Sequence, residues 1–146
     1  MNKRLRERNK IMATSRITTL LTSAEYWNNN FTFRALDDFN PERMEPQTTR
    51  NEDGTTSAKL YEGKPAYVLG EIQVKDADGS SVHNISLKVF NKPLATIEDL
   101  TAFVLVGNVR VQPWAAAPRN GSRFVNINYS LIADSIAPSD GKGVNK

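Results

Sequence analysis

The sequence predicts a mainly β domain that closes into a small five-stranded antiparallel barrel. Two observations carry this. Apolar and polar residues alternate with a period of two in the stretches around 66–90 and 103–136. Between those stretches lies one short segment with a helix-start pattern, placed just before the last strand pair.

The elements follow in order. Residues 1–24 read as a basic, partly helical N-terminal extension. Leu5, Ile11, Ile17, Leu20 and Leu21 form a patchy apolar stripe, and good helix formers run to Ala13. Met12 is an alternative start, with the preceding residues an upstream extension. A barrel domain spans 25–137. Asn28–Asn30 read as a turn, and Phe31, Phe33 and Ala35 alternate with Thr32 and Arg34 as a short strand. Residues 40–57 are polar, with Pro41, Pro46 and Asp53-Gly54, and read as a mobile loop.

From Lys59 the core begins. Val68, Ile72 and Val74 share one parity, as do Ile85, Leu87 and Val89. Asp78-Gly79 turns the chain between them, so this is an antiparallel hairpin with one buried face. His83 points inward by parity with Ile85 and reads as structural. Thr96 with Asp99 marks a single helical turn. Two long strands follow. The first has Leu105, Val109 and Val111 inward and Asn108, Arg110 and Gln112 outward. The second has Val125, Ile127, Tyr129 and Leu131 inward. Residues 138–146 read as a disordered tail. One short helix before the last strand pair, and Gly107 early in the penultimate strand, fit the five-stranded OB-fold. A β-sandwich has the same composition.

Charge narrows the function classes. Residues 1–24 hold six basic side chains against one acidic, and residues 101–146 hold five against two. The middle of the chain is net acidic. The basic ends permit a polyanionic partner without demanding one. No apolar run approaches a membrane span, and no secretory h-region follows the basic N-terminus. The absence of cysteine removes disulfides, thiolate zinc sites and thiol nucleophiles, which fits a cytoplasmic location.

The C-terminal half carries a more specific pattern. It contains Val106-Gly107, Val109-Arg110-Val111, Trp114, Gly121 and Ala133-Asp134-Ser135-Ile136, preceded by SLKVFNKPLATIEDL with Phe90 at its strand end. Over residues 66–137 this resembles the bacterial and phage single-stranded DNA-binding proteins with an OB-fold. The resemblance implies that the chain coats single-stranded DNA as a homo-oligomer. Residues 1–65 have no counterpart in that pattern. The family's acidic, phenylalanine-ended tip is replaced by GKGVNK. A phage, plasmid or mobile-element protein of replication or recombination fits such departures better than a housekeeping one.

A sequence-tolerant binder needs aromatic faces for stacking and cations for phosphates. Trp114 follows a proline near a loop mouth. Arg119 and Arg123 bracket Asn120-Gly121 in that loop. Arg110 faces outward on the adjoining strand, as do Lys88 and Phe90 on the hairpin. These six residues form the expected DNA-binding surface.

Catalysis has little support, and the chain reads as a non-enzyme without cofactor or small-molecule substrate. His83 is the only histidine and has no nearby ligand partner in sequence. Asp37-Asp38 read as a turn and Glu98-Asp99 as a first helical turn. The DADG at 76–79 lacks the ligand series of a calcium loop. Two rival readings remain. One is a structural or assembly module of a phage or conjugation apparatus that binds no nucleic acid. The other is a duplex-DNA accessory protein that uses the basic N-terminus.

Overall fold

The computed structural model describes residues 19–116 and 126–139. The chain is mainly β. In order it forms β1 (Leu20–Ser23), α1 (Ala24–Asn30), β2 (Phe31–Ala35), β3 (Thr48–Arg50), β4 (Thr56–Ala58), β5 (Leu60–Tyr61), β6 (Lys64–Pro65) and β7 (Tyr67–Val68). It continues with β8 (Ile72–Asp76), β9 (Ser81–Val82), β10 (Ile85–Val89), β11 (Ala102–Ala116) and β12 (Asn126–Pro138).

One sheet organises the chain, in the order β7-β10-β12-β11-β2-β8-β9, with β1 also paired to β11. The sheet curls into a half barrel. Its concave face carries Phe33, Val74, Leu87, Val89, Phe103, Leu105, Val109, Val111, Leu131 and Ala133, all buried. The alternation read from the sequence is therefore the alternation of a one-sided core. The Phe103 ring centroid lies 5.8 Å from those of both Phe33 and Phe39, so three buried aromatics pack together in the core.

The curl has a local cause in β11. Its pairing with β12 shifts between Val106 and Val109, where three steps along β11 match two along β12. This bulge holds Gly107 at φ 84, a left-handed conformation that a side chain disfavours. A bulge bends its strand and increases its twist.

Several expectations are corrected. Residues 20–23 belong to a strand, not a helix. The Thr-rich TTLLTS favours extended backbone, and Leu20 to Ser23 pair with Val111 to Asn108. The remainder of the expected N-terminal helix lies outside the described residues. The one helix among the described residues, α1, starts just after that strand and includes Asn28–Asn30, which the sequence reads as a turn. Ser23 caps it by accepting the Tyr26 N–H at 3.2 Å. Trp27 is buried beneath it and donates to Thr22 Oγ1 at 2.8 Å. Asn28 holds it to β11, donating to the Leu105 carbonyl and accepting the Leu105 N–H, both at 2.9 Å.

The helical turn expected at Thr96–Asp99 does not form. Ile97 is buried and exchanges backbone hydrogen bonds with Phe39 at 2.8 and 3.1 Å, and the Asp99 N–H goes to Asp38 Oδ1 at 2.8 Å. A tertiary bridge thus takes the groups that a helix start would use. The loop 40–57 contains the ladder β3–β4, closed around Asn51 and Thr55. The hairpin across Asp78-Gly79 exists only at its tip, as β8 with β9. Beyond it β10 leaves β8 and pairs in parallel with β12 and antiparallel with β7. Val68 and Ile127, both expected inside, are exposed, as is His83. Val125 lies outside the described residues.

Candidate nucleic-acid interface

The convex face of β10, β12 and β11 is the surface at issue. The pairing register lines its side chains up in rows. Lys88, Ile132 and Arg110 form one row, and Ser86, Ser130 and Gln112 the next. Asn128 and Trp114 form a third, nearest the end where the chain passes from β11 to β12.

Trp114 is half exposed, with 50% of its surface accessible. Its indole N–H donates to Ser130 Oγ at 3.2 Å, and Ser130 lies 3.4 Å from Ser86 Oγ. The hydrogen bond fixes one edge of the ring and leaves a face open. A shallow groove of about 150 Å³ runs beside it, lined by His83, Asn84, Ser86, Asn128 and Tyr129. Its polar lining is amide, hydroxyl and imidazole, groups that can donate to and accept from base edges.

Arg110 sits differently from expectation. It faces the convex side, but it is ion-paired twice. Its Nε–H donates to both carboxylate oxygens of Glu62, at 3.1 and 3.0 Å, and its Nη1 donates to Asp134 Oδ1 at 2.9 Å. Burial opposes its charge, but the bonds to Glu62 and Asp134 outweigh that, so its pKa lies above the ordinary arginine value. Asp134 is anchored in turn. Its other oxygen accepts the Asn108 N–H at 2.9 Å, inside the bulge.

Phe90 is buried and packs with Ala66 and Ile132, with Tyr61 against the same cluster. The short hairpin β5–β6 forms this cover. Lys64 Nζ lies 4.5 Å from the Phe90 ring centroid, and the Arg110 guanidinium carbon lies 5.0 Å from it. Phe90 is thus a ring already held by two cations. It is not the open stacking platform that strand parity predicts. Lys88 is partly buried, and its pKa is lowered by burial first and by Lys59 second. Lys59 itself stands 5.2 Å from the Tyr61 ring centroid.

Of the six expected contact residues, Trp114, Arg110, Lys88 and Phe90 share the convex face of one sheet. Arg119 and Arg123 lie outside the described residues, in the segment joining β11 to β12. The structure adds Lys59 and Lys64, which sequence reading did not single out. The available signal was Tyr61-Glu62-Gly63-Lys64-Pro65, where a glycine and a proline close together mark a turn that sets a lysine beside an aromatic.

A cavity of about 830 Å³ lies elsewhere, lined by Asp37, Asp38, Glu45 and Arg43 among others. Its excess of carboxylates disfavours a polyanion. Among the described residues no His, Cys, Asp and Glu group is arranged to hold a metal ion, and no helix is long and apolar enough to cross a membrane. No family model matches the sequence, and no curated protein or solved structure matches it.

Proposed function

We propose that this chain is an OB-type protein that binds single-stranded DNA, with low sequence specificity, along the convex face of β10, β12 and β11. The observation that carries the reading is the convergence of Lys59, Lys64, Lys88 and Arg110 on one sheet face, with the exposed Trp114 ring two rows away. Cations and a stacking ring on one face are what a sequence-tolerant strand binder requires.

The connectivity supports the fold part of the reading. Count β2, β8, β10, β11 and β12 as first to fifth. Their order across the sheet is third, fifth, fourth, first, second, with the third and fifth parallel. That is the Greek-key order of an OB-type barrel, whose oligonucleotide sites use the second and third strands with the loops after the first and fourth; of those two strands only the third, β10, belongs to the face proposed here. Here the first of those loops supplies Lys59 and Lys64, and the second contains Arg119 and Arg123. The missing helix between third and fourth strands is a departure from the type.

The experiment is fluorescence anisotropy of labelled poly-dT, duplex DNA and RNA over a salt series. We expect poly-dT to bind best, with affinity falling as salt rises. Trp27 is buried, so quenching of tryptophan emission reports Trp114. Trp114→Ala is expected to abolish the quench and weaken binding by about 1–3 kcal/mol. Absence of poly-dT binding at low salt sinks the reading. A concentration-dependent mass in that case favours the assembly module, for which exposed Leu20, Leu21 and Val106 around the β1–β11 pair would serve as subunit contacts.

A further inference from the structure

We infer that the β5–β6 hairpin is an electrostatic latch: Glu62 occupies Arg110 in the free protein, and the phosphodiester backbone of single-stranded DNA displaces it, uncovering Phe90. This rests on the strand-binding reading and adds its regulation.

The two partners of Arg110 are not equivalent. Asp134 is built into the sheet, because its carboxylate also accepts the Asn108 N–H and its Cβ packs 2.8 Å from where a side chain on Gly107 would begin. Glu62 sits at the tip of a two-residue hairpin whose strand ladder is its own, Leu60 with Pro65 and Tyr61 with Lys64; its ties elsewhere run through Tyr61, which donates to Gln47 Oε1 at 2.6 Å and packs on the Phe90 cluster. Its side chain is 52% exposed. The Arg110 side chain is 15% exposed, so Glu62 is the solvent-facing half of the pair, the half that a competing anion can reach and replace. A phosphate brings the same charge and the acceptor geometry that guanidinium groups favour.

The backbone gives an independent sign. Glu62 has φ 55 and Gly63 φ 80, the two left-handed positions of a tight hairpin turn. Asparagine, aspartate and glycine suit the first of these positions, whereas a glutamate is disfavoured there. A strained residue whose side chain is aimed at a cation fits a held, releasable contact. Lys64 supports the same view. It lies over Phe90 on the hairpin, so opening frees a cation and a ring together.

The test compares Glu62→Asn, which removes the charge and suits the turn, with the wild-type protein and with Glu52→Gln, which removes a charge on the separate β3–β4 turn. A dT oligomer is titrated over a salt series. We expect Glu62→Asn to bind about fivefold tighter at an unchanged salt slope, because Arg110 meets a phosphate in both complexes and only the cost of releasing Glu62 is removed. Glu52→Gln should change the affinity by much less. Hydrogen exchange on wild-type protein should show faster exchange at residues 60–65 when the oligomer is bound. Equal affinity for Glu62→Asn and wild type, or exchange at 60–65 slowed by the oligomer, overturns the latch while strand binding stands. Binding by Glu62→Asn alone supports the latch strongly. Failure of every variant to bind at low salt removes the strand-binding reading, and the latch with it.

Discussion

Asp134 shows how one side chain sets several features at once. It accepts the Asn108 N–H, pairs with Arg110 and fills the space beside Gly107. Gly107 is needed twice over, for its φ of 84 and for the room that Asp134 takes. Gly107→Ala is therefore expected to cost about 2–4 kcal/mol of stability, combining backbone strain with overpacking. Chemical denaturation measures it directly, and a loss below about 1 kcal/mol would show that the bulge relaxes around a methyl group. The sequence marks this unit as Val106-Gly107 followed by Ala133-Asp134. Periodicity alone does not show that the glycine and the carboxylate touch.

At the level of elements, α1 is held less by its own propensity than by its neighbours. Seven residues are too few for a stable isolated helix. Ser23 caps its start, Trp27 sinks into the core and Asn28 bonds both polar groups of Leu105. Asn28→Ala leaves the Leu105 N–H and carbonyl without these partners and is expected to cost about 1–3 kcal/mol. Thermal unfolding followed by circular dichroism reads the loss, and an unchanged Tm counts against this role. The Asn28–Asn30 run reads as a turn in isolation because asparagine competes with helix for backbone bonds. Only the β11 edge beside it turns that competition into an anchor. The same logic explains the helix that is absent at Thr96–Asp99, where the bridge to Phe39 takes precedence.

For the whole molecule, charge on the convex face is bought with stability. Lys88 is partly buried, so its pKa is below the ordinary lysine value through burial and the nearby Lys59. The sign follows from linkage. Below the folded pKa, Lys88 is charged in both states and the folded state carries the whole cost. Between the folded and unfolded pKa values the unfolded chain holds a proton that the native protein has lost. Stability therefore rises with pH through that window. Lys88→Met should raise Tm at neutral pH by about 2–4 °C and remove this rise, while reducing the salt slope of strand binding by about 0.7. Denaturation midpoints at neutral pH and in the lysine range, with anisotropy beside them, check both halves. A variant that binds as well as wild type removes Lys88 from the interface.

The sequence by itself determined the mainly β character and most of the inward residues of the long strands. Leu105, Val109, Val111 and Leu131 follow a period of two, and the pleat converts that period directly into one buried face. It also marked Trp114 and Arg110 as outward. Tertiary structure decided the rest, because pairing partners are chosen by contacts between residues far apart in the chain. It sent β10 to β12 instead of β8, paired Ile97 with Phe39, and folded Tyr61 to Lys64 over Phe90. Whether an outward side chain meets solvent or another segment depends on what returns to cover it, and a local pattern carries no information about that return.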